Sequence, residues 1–123
     1  MKLYKLVLIS HAAYIFITGV WPILDIKSFM AVTGPKTDIW LVKTVGALLI
    51  PVSLSMLSYL HFKSPKLPAI ILGAGTAISF VSIDLYYALS DVISDIYLGD
   101  AAIEFIFLSG WIYVSINLRI PAK

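Results

Sequence analysis

The chain has 123 residues, of which 60% are hydrophobic and 13% charged, with a formal net charge of +2; soluble domains average roughly 45–50% apolar and about 25% charged. A mean hydropathy of +0.96 excludes an ordinary soluble domain, and so small a positive excess on so apolar a chain excludes a nucleic-acid binder or a disordered tail. What remains is a small integral membrane protein, and with no cysteine it has no disulfide, thiolate metal site or cysteine nucleophile.

A helix needs about 20 mostly apolar residues to cross the hydrocarbon core, and four segments qualify. The first runs from about Leu3 to Leu24. Lys2 and Lys5 ahead of an apolar run resemble a signal peptide, but the run is too long and lacks a small-residue cleavage site, so it reads as an uncleaved span. His11 falls near its middle, and Tyr4, His11, Thr18 and Asp25, spaced by seven, form one polar stripe. Ile26, Phe29 and Met30 then recur at helical spacing until Gly34-Pro35, which predicts a short interfacial helix over about 25–33. The second span runs from Ile39 to about Leu60, with Lys43 one turn inside and Pro51 in the middle, where a kink is expected.

The Lys63-Ser64-Pro65-Lys66 turn leads to a third span, Leu67 to Leu89. Ala69, Gly73 and Ala77 give it a small-residue face for close packing, and Asp84 lies two turns inside its far end. Ser90 to Asp95 break the chain again, and the fourth span, Ile96 to Leu118, carries Asp100 and Glu104 four apart on one face. A β-barrel would need alternating segments, whereas Leu6-Val7-Leu8-Ile9 and Ala69-Ile70-Ile71-Leu72 do not alternate. The fold class is therefore all-α, a four-helix transmembrane bundle occupying the whole chain as a single domain.

Lys2, Lys5, Lys63, Lys66, Arg119 and Lys123 cluster on one side of the four spans, and all seven carboxylates fall in or near the other half. The positive-inside rule then puts both termini in the cytoplasm. Trp21, Trp40, Tyr86, Tyr87 and Tyr97 mark the outer interface.

Ionisable residues within spans normally face the bundle interior or a wet cavity. Here they are His11, Lys43, Asp84, Asp100 and Glu104, which together predict an outward-opening acidic pocket. Three carboxylates against one lysine cannot all ionise cheaply. Glu104, the deepest, is the expected proton carrier, with Lys43 paired to Asp84 or Asp100. Glu104 and Asp100 are the expected anionic contacts, His11 lies at the base, and Tyr87 and Trp40 add aromatic surface. No H-E-x-x-H or E-x-x-H spacing supports a metal site, no G-x-S-x-G or S-x-x-K supports a serine nucleophile, and no cofactor is indicated.

The motifs Trp21-Pro22, Thr33-Gly34-Pro35-Lys36-x3-Trp40-Leu41-Val42-Lys43-Thr44-Val45-Gly46, Asp84-x-Tyr86-Tyr87 and Tyr97-Leu98-x-Asp100-Ala101-x2-Glu104 resemble those of a group of small, uncharacterised bacterial four-helix integral membrane proteins. The resemblance implies four spans and the bacterial cytoplasmic membrane, and carries no activity. Small multidrug transporters share the length and helix count, but resemblance to them calls for a glutamate in the first span, where this chain has His11. Four-helix proteins that hold sterols or cationic amphiphiles on buried carboxylates are closer in chemical logic.

The leading expectation is thus a membrane protein that binds a cation or an amine-bearing or amphiphilic ligand. A membrane-embedded isomerase or hydrolase using a carboxylate acid/base pair, an accessory subunit docked through the small-residue face onto a membrane protein partner, and a homo-oligomeric proton-coupled transporter are the alternatives.

Overall fold

The computed structural model describes residues 2–62 and 65–119; Lys63 and Lys123, and the side chain of Arg119, among the residues that set the expected orientation, lie outside what is described. Five helices follow in chain order: α1 (Lys2–Leu24), α2 (Ile26–Thr33), α3 (Ile39–Ser58), α4 (Leu67–Leu89) and α5 (Ile96–Arg119). No strand occurs among the described residues. Helices α1, α3, α4 and α5 are each long and apolar enough to cross a membrane. Large apolar side chains clothe their outer faces, Leu6, Leu48, Ile71 and Ile106 among them, as expected of surface that meets lipid rather than water.

The four long helices pack as two intimate pairs, α1 on α3 and α4 on α5, joined chiefly through α1 and α5. Glycine sets the first pairing. A Cβ on Gly19 would stand 2.6 Å from the Gly46 carbonyl oxygen, so the two backbones approach as closely as only small residues allow. The second pairing seats the Trp111 indole directly on Gly73, where a Cβ would overlap the ring. Helix α3 continues through Pro51 as one helix.

The half of the bundle remote from α2 is filled by an apolar core in which Leu8, Ala12, Ile15, Met56, Trp111 and Val114 are essentially inaccessible. The other half is closed differently. Helix α2 starts at Asp25, whose side chain accepts from the Ser28 backbone N–H, and ends at Gly34, the one residue of that turn at positive φ (+100°). Its Phe29 and Thr33 are buried, and Phe29 packs edge-on against Trp21, whose Nε1–H donates to Ser28 Oγ. Helix α4 stops in a Schellman turn, with Asp91 N–H bonding Ala88 O, Val92 N–H bonding Tyr87 O, and Asp91 at φ +59°. The short helix and this turn sit at the same end of the bundle.

Candidate functional site

All five helices line a cavity of about 450 Å³ at the α2 end of the molecule. Phe29, Val32 and Thr33 of α2 cover it, Val42, Val45 and Leu49 of α3 and Phe80 of α4 form apolar walls, and Tyr14, Asp84 and Asp100 supply the polar groups at its deep end. Lys36 lies at the mouth. Its ammonium donates to Thr33 O, Thr33 Oγ1 and Gly34 O at 3.1–3.4 Å and sits 5.1 Å from the Tyr97 ring centroid. A cation there suits the carbonyl-rich C-terminus of α2 and fastens that helix to α5. At the other end of α2, the Ser28 N–H holds the Asp25 carboxyl below its ordinary range.

The floor is a ladder between α1 and α5. These helices run antiparallel, so Tyr4, Val7, His11 and Tyr14 climb one face toward the cavity while Trp111, Gly110, Phe107, Glu104 and Asp100, in reverse chain order, climb the other. Tyr14 Oη–H donates to Asp100 Oδ1. One rung below, His11 Nε2 lies 2.8 Å from Glu104 Oε2, and the Trp111 Nε1–H donates to His11 Nδ1 at 2.9 Å. Phe107 stacks on the imidazole at 4.4 Å between centroids. His11, Glu104 and Trp111 are all at most 1% exposed.

The protonation state of the imidazole follows from its partners. Indole nitrogen donates and never accepts, so Nδ1 must present its lone pair. The ring proton is then on Nε2 and points at Glu104, an assignment made from the bonding pattern. His11 is neutral, and Glu104 Oε2 accepts.

Asp84 lies across the floor from Tyr14. It is 3% exposed, lines the deep end of the cavity together with Asp100, and its Oδ2 has no donor. Two facing acceptors without a proton between them are unfavourable in a buried place, where each unsatisfied polar atom costs on the order of 1–3 kcal/mol.

The residues expected from the sequence therefore divide. Asp84 and Asp100 line the cavity; Glu104 and His11 lie beneath its floor, bonded to each other rather than open to a ligand. Lys43, Trp40 and Tyr87 are exposed and contribute no wall. The expected Lys43 pair with Asp84 or Asp100 is corrected by helical phase: at 100° per residue, Lys43 points roughly 110° away from the Val42–Val45–Gly46–Leu49 face. Trp40 is on the opposite side of α3, 67% exposed, and Tyr87 packs edge-on against Tyr86. Among the described residues no Lys or Arg pairs with a carboxylate, the His11–Glu104 contact being a hydrogen bond from a neutral imidazole, and no three His, Asp or Glu side chains converge to hold a metal ion.

Three residues of the candidate site were not singled out in the sequence: Tyr14, Lys36 and Trp111. Two carried a signal, since Tyr14 follows His11 by three and Trp111 follows Glu104 by seven, each on its partner's helical face. Lys36 carried none, because its role depends on the turn at Gly34.

No protein-family model matches the chain, and no curated protein or solved structure matches it either.

Proposed function

We propose that the chain is a small multi-pass membrane protein that binds an amine-bearing amphiphile in the cavity beneath α2. The observation that carries the reading is Asp84 Oδ2, a buried acceptor without a donor, facing a second carboxyl in a cavity whose walls are otherwise almost wholly apolar. An ammonium group supplies N–H donors and positive charge at the point where both are missing. The apolar walls suit a hydrocarbon tail, and convergent polar groups in a greasy pocket are the usual form of a small-molecule site. Asp84 and Asp100 are the anionic contacts, and Tyr14 orients Asp100.

The same facing carboxyls favour a second reading, a membrane isomerase in which one acts as general acid and the other as base. It requires a lipid-like substrate to be turned over, whereas the first requires only retention.

Dodecylammonium titrated into the protein in zwitterionic lipid nanodiscs tests the first reading, with dodecanol as the uncharged control. The expected result is saturable binding of the amine that weakens at least about tenfold in Asp84→Asn, a difference of ~1.4 kcal/mol, while dodecanol is unaffected. Equal amine affinity in the wild type and Asp84→Asn overturns it.

A further inference from the structure

We propose that the floor of the cavity exchanges one proton for each organic cation it takes up, on the side from which the cation arrives. The inference rests on the amine-binding reading and adds a stoichiometry and a direction to it.

The groups that face the floor can be enumerated. Helix α1 brings Tyr14 and His11, α4 brings Asp84, α5 brings Asp100 and Glu104, and α3 brings only Val42, Val45, Gly46 and Leu49. From the α2 end comes Lys36 alone, its three donors already engaged by Thr33 and Gly34 oxygens at the mouth. His11 cannot supply a positive charge: an imidazolium needs a proton on Nδ1, and the Trp111 N–H occupies that position. Glu104, bonded to the neutral imidazole, brings a third carboxyl to the floor and no cation with it. One turn above Glu104, Asp84 and Asp100 line the same deep end of the cavity, Asp84 Oδ2 without a donor, and Tyr14 already donates to Asp100.

Three adjacent carboxylates with no interior cation are not all ionised in a low-dielectric site. One proton held between Asp84 and Asp100 makes the missing hydrogen bond, the O–H of one carboxyl donating to an oxygen of the other. When an alkylammonium arrives, its N–H donates to Asp84 in place of that proton. Its charge then allows both aspartates to be ionised. The O–H bond breaks heterolytically, the electron pair stays on the carboxylate, and the proton passes to water. Charge balances: a cation and a singly negative pair give a cation on a doubly negative pair plus one free proton.

The proton leaves by the mouth because it has no other route. Beyond His11 lies the apolar core of Tyr4, Val7, Leu8, Met56, Trp111 and Val114, and among the described residues no run of hydrogen-bonded polar groups leads on from the Trp111 N–H, the buried Ser53 hydroxyl being turned to its own helix at Ile50 O. The exchange is one-sided.

The test is isothermal titration of dodecylammonium into nanodisc-held protein near pH 7, where the amine is fully protonated, in two buffers of different ionisation enthalpy. Release of about one proton per bound ligand is expected, with affinity rising about tenfold per pH unit between pH 6 and 7. In Asp84→Asn and Asp100→Asn the release falls to about zero and the pH slope flattens, even where weakened binding persists. Wild-type binding with no proton release and no pH slope overturns the exchange while leaving the pocket reading in place. Absence of wild-type binding overturns both.

Discussion

One N–H group, that of Trp111, settles how the His11–Glu104 pair behaves. A buried indole normally finds an acceptor, and here the acceptor is His11 Nδ1, with the indole seated on the Gly73 backbone and the imidazole stacked on Phe107. Trp111→Phe keeps an aromatic ring in that place and removes only the donor. Nitrogen-15 NMR of the imidazole is expected to show a single Nε2–H form in the wild type and a mixture in Trp111→Phe, with about 1–3 kcal/mol of stability lost through the unpaired buried acceptor. An unchanged spectrum would show that the indole does not select the tautomer. Much of this site was legible before any coordinates: His11, Asp84, Asp100 and Glu104 stand out because an ionisable residue in a span has few places to go. What was not legible is which carboxyl faces the cavity. Asp100 and Glu104 share a helical face, and only the stagger of α1 against α5 decides that Tyr14 meets the first and His11 the second.

At the scale of the helix, small residues determine how near each element comes to the next. Ala69, Gly73 and Ala77 are all buried on one face of α4, whereas Gly75 meets nothing within 4 Å. Gly73→Ala is expected to push Trp111 out of its seat and cost about 1–3 kcal/mol, the usual penalty for overfilling a packed core. Gly75→Ala is expected to be neutral or to stabilise by about 0.5–1 kcal/mol, since alanine fixes a helix better than glycine. Thermal midpoints of the two variants in one detergent check the contrast, and equal midpoints would mean that the α4–α5 contact is looser than described. The helices themselves could be read from hydropathy and from Gly, Pro, Ser and Asp punctuation, down to α2, because these signals are local. The rotation of α3 could not. Lys43 is a charge within a span by sequence, yet a long flexible stem near a helix end lets the ammonium turn outward to the interface, so its position along the chain did not reveal its face.

For the molecule as a whole, the cavity and the α2 cover occupy one end, and the apolar core occupies the other. The direction in which the cavity opens therefore decides which compartment supplies a ligand and receives a proton. Charge distribution argues for the outside: by sequence Lys2, Lys5, Lys63, Lys66, Arg119 and Lys123 belong to the core end, against Lys27, Lys36 and Lys43 at the cavity end, and basic loops are retained in the cytoplasm. The absence of cysteine makes the orientation directly measurable, because any introduced thiol is the only one in the chain. Thr37, between α2 and α3, and His61, after α3, are both exposed and lie at opposite ends of the bundle. In intact cells a membrane-impermeant maleimide is expected to label Thr37→Cys, and to label His61→Cys only after the membrane is broken. The reverse pattern would turn the molecule over, so that its carboxylates faced the cytoplasm and drew both ligand and proton balance from there. With the expected pattern, the aspartate pair answers to the acidity outside the membrane, and the affinity for an amine falls as that compartment becomes more acidic.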